Sequence, residues 1–204
     1  MKLLIISSSQ RLDSQSAKVG RYIADSSFLS PHTMGYDAIY HLELCRFELP
    51  FWDGEEHSKG KHWPEIKQKI DEADALVLIT PEWGGMASPL LKNFLLMCTR
   101  EETAHKPALL ISVSTGIGGT YPIVEVKMNA LKNNKLVPIP DHLIIRNVSN
   151  VLNTIPEGTR DIALRERVQY SLHMLHQYAQ ALAPIRERHA NQAYPKQQEY
   201  CYGM

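Results

Sequence analysis

The sequence shows no cysteine pattern, no block of like charge and no long apolar run, and each absence excludes a class of protein. Cys45, Cys98 and Cys201 stand apart without C-x-x-C spacing, which suits neither a disulfide framework nor a four-cysteine zinc site. A reducing compartment is expected, and the chain reads as cytoplasmic. Twenty-two basic residues balance 22 acidic ones, so no nucleic-acid surface is expected. The first apolar run, Leu3 to Ile6, is too short for a signal-peptide core, and nothing approaches the roughly 18 apolar residues of a membrane span. Neither G-x-G-x-x-G nor G-x-x-x-x-G-K-[ST] occurs, against a Rossmann dinucleotide site and a P-loop. The absence of a G-x-S-x-G elbow likewise argues against a hydrolase. A small-molecule partner is what remains.

At 204 residues, 44% of them hydrophobic, the chain suits a single α/β domain with a substantial core. Leu3 to Ile6, Ala75 to Thr80 and Ala108 to Ser114 are short, branched and continuously apolar, the pattern of strands covered on both faces in a parallel sheet. Weaker strands are expected over residues 37–44 and along "KLVPIP" and "HLIIRNV", where Pro138 and Pro140 suggest an edge or a bulge. Helices are expected over residues 16–25 and 64–73, then over Pro89 to Cys98, which is apolar almost all round and is expected to face a second subunit. A long amphipathic helix spans Asp161 to Ala183. Its period stops at Pro184, giving a domain over residues 1–184 and a tail, 185–204, that is disordered or packed on a partner subunit. His173 and His176 lie one turn apart on the long helix with no carboxylate or cysteine cluster at ligand spacing, so they read as solvated or interface histidines and no metal is expected. Glu101, Glu102 and "WDGEEH" read as surface charge.

Five strands alternating with helices make a doubly wound sheet, whose ligands sit beyond the carboxyl ends of the strands. Three of those ends carry distinctive loops. "SSSQRLDSQS" (Ser7 to Ser16) offers serine hydroxyls and one guanidinium at the start of a helix, a donor set for a phosphate or, more plainly, a polar loop with a helix cap. "PEWGGMASPLLKN" (Pro81 to Asn93) offers an aromatic wall at Trp83 and close backbone approach at Gly84 and Gly85. "STGIGGT" (Ser114 to Thr120) is a second glycine-dense loop.

Together the loops resemble the NADPH-dependent FMN reductase family. The first is similar to G-S-x-R-x-x-S-x-N through Ser9, Arg11 and Ser14; the second to P-E-Y-N-x-S-x-P-G-x-L-K-N through Pro81, Glu82, Leu91, Lys92 and Asn93; the third to S-x-G-x-x-G-G through Ser114, Gly116 and Gly119. Trp83 and Gly84 replace the family's tyrosine and asparagine, and Met86, Ser88 and Pro89 alter the serine, proline and glycine usual after them. The resemblance implies a flavodoxin-like five-stranded parallel sheet of order 2-1-3-4-5 with helices on both faces. It also implies an NADPH- or NADH-dependent oxidoreductase that passes hydride to FMN and then electrons to a quinone, azo compound, metal oxyanion or free flavin. Ser9, Arg11, Ser14, Gln15 and Ser16 would hold the FMN phosphate, Pro81, Glu82, Trp83, Gly84 and Gly85 would line the ring, and Ser114, Gly116 and Gly118 would meet its pyrimidine edge, with no side-chain acid or base. A homodimer or tetramer is implied. Two alternatives stay open: a flavodoxin-like electron carrier, and an interaction protein that keeps the fold without the flavin.

Overall fold

The computed structural model describes residues 1–192 and 194–197. Five strands, β1 (Lys2–Ser7), β2 (Ala38–Glu43), β3 (Ala75–Pro81), β4 (Pro107–Val113) and β5 (Val137–Ile145), form one parallel sheet of order β2-β1-β3-β4-β5. In β1 every residue after Lys2 is buried, as is the whole of β3 and β4. Their alternate side chains feed two cores. Leu3, Ile5, Val77, Ile79 and Ile111 meet helices α1 (Gln15–Ala24) and α6 (Gly158–Asn191) on one face. Leu4, Ile6, Leu76, Leu78 and Leu110 meet α2 (Trp63–Glu72), α3 (Pro89–Met97) and α5 (Thr120–Asn129) on the other. Residues that alternate in a strand point to opposite faces, so continuous apolarity demands this double cover. A short helix, α4 (Arg100–Thr103), comes after α3.

The proline-rich fifth strand lies at the sheet edge, and its pairing with β4 skips between Ala108 and Leu110. Edge and bulge together tolerate the two missing N–H donors. The sheet reverses direction of winding between β1 and β3, which brings the loops after these strands side by side.

Three surface features differ from expectation. Helix α6 continues through Pro184 to Asn191 rather than ending there. Pro184 removes one helical hydrogen bond, but contacts beyond it offset the loss: Arg186 bonds Asp74 at 3.0 Å, and the His189 ring meets His105 edge-on at 4.6 Å. The first part of the expected tail therefore packs on its own chain, while Cys201 lies outside the described residues. Glu102 is buried rather than solvated, because its carboxylate accepts the Thr99 N–H in a capping box at the start of α4; burial raises its pKa. His176 is also buried, edge-on to Tyr36 at 5.1 Å, with its pKa lowered by desolvation, whereas His173 is exposed. Among the described residues no group of side chains is arranged to hold a metal, and no helix is long and apolar enough to cross a membrane.

Residues 53–57 form an exposed turn as expected, yet the residue two positions further on is unusual. Lys59 is buried with its ammonium 5.0 Å from the ring centroids of both Trp52 and Trp63, and Glu56 accepts from it at 2.6 Å. The two aromatic faces replace much of the water such a cation loses.

Candidate active site

The loop after β1 turns straight into α1. Ser14 caps that helix, its Oγ accepting the Ala17 N–H at 3.1 Å, and retains a hydroxyl proton for another acceptor. Ser9 is buried and accepts the Arg11 N–H at 3.2 Å. Two neighbouring polar atoms, Gln15 Oε1 and Ser16 Oγ, are buried without a hydrogen-bond partner among the described residues. Such orphans cost about 1–3 kcal/mol each, and they sit in the first turn of a helix, where N–H groups and the macrodipole favour an anion. Arg11 has no carboxylate within ion-pair distance among the described residues; its guanidinium lies 5.2 Å from the Trp83 ring centroid. This contact draws the first loop onto the second.

The second loop is a two-residue hairpin. Trp83 and Met86 exchange N–H···O bonds of 3.2 and 3.0 Å, and Gly84 and Gly85 both have positive φ, 57° and 73°. A turn with two left-handed residues favours glycine or asparagine, so Gly84 in place of the family's asparagine keeps the backbone. Ser88 and Pro89 are explained in the same way. The Ser88 side chain caps α3 by accepting from Leu90 N–H at 3.1 Å and donates to the Ser8 carbonyl at 2.5 Å, while Pro89 takes the first helical position.

Glu82 ties the second loop to the third. Its N–H bonds the Val113 carbonyl at 3.0 Å, and its Oε2 accepts the Gly119 N–H at 2.7 Å. A Cβ at Gly118 would lie 2.2 Å from that same oxygen, so glycine there is what lets the carboxylate in. Ser114 Oγ accepts the Gly116 N–H at 3.3 Å. Pro81 is buried beneath, while Gly84, Gly85, Gly116 and Gly118 are exposed, leaving bare backbone at the carboxyl ends of β3 and β4. The structure thus brings every expected site residue to one edge of the sheet. It also gives Glu82 a task at Gly119.

Some neighbours escaped the sequence reading. Ser7 Oγ lies 3.0 Å from His41 Nε2 on β2, directly behind the first loop, and burial lowers the pKa of His41. Lys18 on α1 reaches three oxygens of the loop after β5: Val148 O at 2.6 Å, Val151 O at 2.9 Å and Asn153 Oδ1 at 3.0 Å. Arg146, also from that loop, bonds the Gly118 carbonyl at 2.9 Å. One signal was available, since Arg146 stands at the carboxyl end of a strand, where such sheets bind ligands.

A family model, "NADPH-dependent FMN reductase", matches residues 1–150, which contain all three loops and all five strands. The chain belongs to the NADPH-dependent FMN reductase family. The NADPH azoreductase of Bacillus sp. (strain OY1-2) is 32% identical over 117 residues, 57% of this chain and 60% of that protein, so the match spans less than two thirds of that relative. Among solved structures, an oxidoreductase from Corynebacterium diphtheriae aligns with a TM-score of 0.63 at 13% identity, over 87% of this chain and 96% of that one. FerB, a flavoenzyme NAD(P)H:(acceptor) oxidoreductase from Paracoccus denitrificans, aligns with a TM-score of 0.62 at 18% identity, over 88% and 97%. These structures share the flavodoxin-like fold. The family's cofactors are FMN and NAD(P)H, and the residues present fit FMN: an anion-seeking helix start with two orphaned polar atoms stands next to exposed glycine backbone and Trp83.

Proposed function

We propose that this member of the family is an NAD(P)H-dependent FMN oxidoreductase that hands electrons to a small quinone, azo compound, metal oxyanion or free flavin. The observation that carries the reading is the pair of buried atoms, Gln15 Oε1 and Ser16 Oγ, that have no partner among the described residues, at the start of α1 beside an arginine that meets no carboxylate among them. Arg11, Ser9, Ser14, Gln15 and Ser16 hold the FMN phosphate, Arg11 through its planar donor fork. Pro81 to Gly85 bound the ring, Trp83 as a wall and the two glycines as bare backbone. Ser114, Gly116 and Gly118 approach its pyrimidine edge. Bound FMN supplies the two-electron chemistry, and the chain supplies placement and polarity. Glu82 keeps the second and third loops at a fixed separation.

Subunit association belongs to the same reading. Helix α3 buries Leu91, Phe94, Leu95 and Met97 in its own chain and exposes mainly Leu96, so the second-subunit face falls chiefly on its neighbour α5. There Tyr121, Val124 and Met128 recur at three and four and are 57–78% exposed, continuous in sequence with exposed Ile117 of the third loop. A face of this kind fits a second copy of the chain, as a dimer or a dimer of dimers. Light scattering after gel filtration reports it, and Val124→Asp should yield monomer. A reducing cytoplasm suits the unpaired Cys45 and Cys98.

The decisive experiment is anaerobic. Protein saturated with FMN and freed of excess flavin is mixed with NADPH while the visible flavin absorbance is tracked. Rapid bleaching is expected. Flavin that stays bound but unbleached would favour the electron carrier, and failure to retain flavin would favour the flavin-free interaction protein.

A further inference from the structure

The guanidinium groups fall into two sets. Arg21, Arg46, Arg100, Arg165, Arg167 and Arg186 each meet a carboxylate. Arg11, Arg146, Arg160 and Arg188 meet none among the described residues; Arg11 lies against Trp83, Arg188 bonds the Pro184 carbonyl of its own helix at 3.2 Å, and Arg146 and Arg160 come together, Arg160 Nη2 donating to the Arg146 carbonyl at 3.4 Å. Both side chains belong to exposed residues.

Arg146 is held in place by the backbone beneath it. Ser114 N–H bonds the Ile145 carbonyl at 2.9 Å, Asn147 N–H the Gly116 carbonyl at 2.9 Å, and Val148 N–H the Ser114 carbonyl at 3.1 Å. These bonds zip the segment after β5 onto the third loop. Asn147 then turns the chain with a φ of 48°, a left-handed conformation that asparagine tolerates. The guanidinium itself bonds the Gly118 carbonyl at 2.9 Å through Nε and Thr120 Oγ1 at 3.3 Å through Nη2. Thr120 opens α5, whose cap is Gly119 and carries no side-chain capping bond. The Gly119 N–H at that cap is taken by the Glu82 carboxylate at 2.7 Å, so the corner's attraction for a compact dianion rests on the prepositioned guanidinium and the second beside it.

We propose that Arg146 and Arg160 seat the 2′-phosphate of NADPH, and so set the preference for NADPH over NADH. The inference rests on the oxidoreductase reading above, in which Arg11 is already committed to the FMN phosphate. The corner borders the third loop at the carboxyl ends of β4 and β5, where Arg146 holds the carbonyl of Gly118, the last of the residues given to the pyrimidine edge. A nucleotide phosphate meeting this corner finds two guanidinium groups on a different loop from the one that takes the flavin phosphate.

The test compares two fragments that differ only in this phosphate. Isothermal titration of 2′,5′-ADP and 5′-AMP is run on the FMN-loaded chain and on Arg146→Gln, Arg160→Gln and Arg146→Lys. The parent chain should prefer 2′,5′-ADP. Each glutamine variant should lose about tenfold in that preference, the scale of one charge-assisted bond, and the NADPH-to-NADH ratio of kcat/KM should fall in parallel. Arg146→Lys should recover part of the preference, because charge returns without the fork. Equal affinity of the parent for both fragments, an unchanged preference in the variants, or an equal loss for both fragments would each overturn the assignment. If the parent retains no FMN, the oxidoreductase reading fails, and the same titration on the flavin-free chain still judges the arginine pair.

Discussion

The loop over residues 8–16 and the loop over residues 82–88 meet at the same edge of the sheet, but they finish folding in different states. In the second, polar groups are spent within the protein: Trp83 and Met86 pair, Glu82 serves Gly119, and Ser88 serves both Ser8 and Leu90. In the first, Gln15 Oε1 and Ser16 Oγ are buried with nothing to bond, and Arg11 rests on an aromatic face. One loop is a finished shape and the other an unfinished set of bonds. Tyr36 Oη, Trp63 Nε1 and Arg186 Nη1 are orphaned elsewhere; what suits Gln15 and Ser16 to a ligand is their place at a helix start beside Arg11, and the cost is carried by the free protein.

The sharpest way to break the contrast is Arg11→Ala. It should weaken FMN roughly ten- to hundredfold by fluorescence quenching titration while changing riboflavin binding little, since riboflavin has no phosphate. Equal losses for both ligands would place Arg11 elsewhere. In the finished loop, Ser88→Ala removes the cap of α3 and the strap to Ser8, and should lower stability by about 1–2 kcal/mol in urea. Ser16→Ala should do the reverse. By removing a partnerless hydroxyl it should raise the stability of the flavin-free protein by up to about 1 kcal/mol and weaken FMN.

A smaller effect comes from His41. Its folded pKa lies below the ordinary 6.5 because of burial, so below pH 6.5 the unfolded chain binds more protons and stability falls as pH drops. The melting temperature of the flavin-free protein should therefore decline between pH 7 and 5, and decline less in His41→Gln. The smallest effect is expected at Gly84→Asn, which should change stability and FMN affinity by a few tenths of a kcal/mol, because both residues accept the left-handed turn. A large loss there would mean that the glycine is needed for close approach.

The sheet was legible because buried parallel strands write themselves as apolar runs; Leu3 to Ile6, Ala75 to Thr80 and most of Ala108 to Ser114 fall in strands. Pro138 and Pro140 likewise marked the irregular edge. What periodicity missed were residues whose role depends on distant partners. Pro184 reads as a stop, yet Asp74 and His105 hold the helix beyond it. Glu102 reads as a surface charge until Thr99 turns it inward. Hydroxyls with a guanidinium marked the first loop and glycines the other two, but only their combined resemblance to a family made them one site, whereas Arg146 became meaningful only when the topology set it against Gly118.

The placement of the tryptophans has an optical consequence. Trp52 and Trp63 flank a single ammonium at one end of α2, while Trp83 stands in the loop after β3 under a guanidinium. The three indoles of the chain thus divide into one reporter of ligand arrival and two of core integrity. Energy transfer from Trp83 to an isoalloxazine should dim its emission on binding, and the red shift of Trp52 and Trp63 should appear only on unfolding. One emission spectrum then separates loss of flavin from loss of fold.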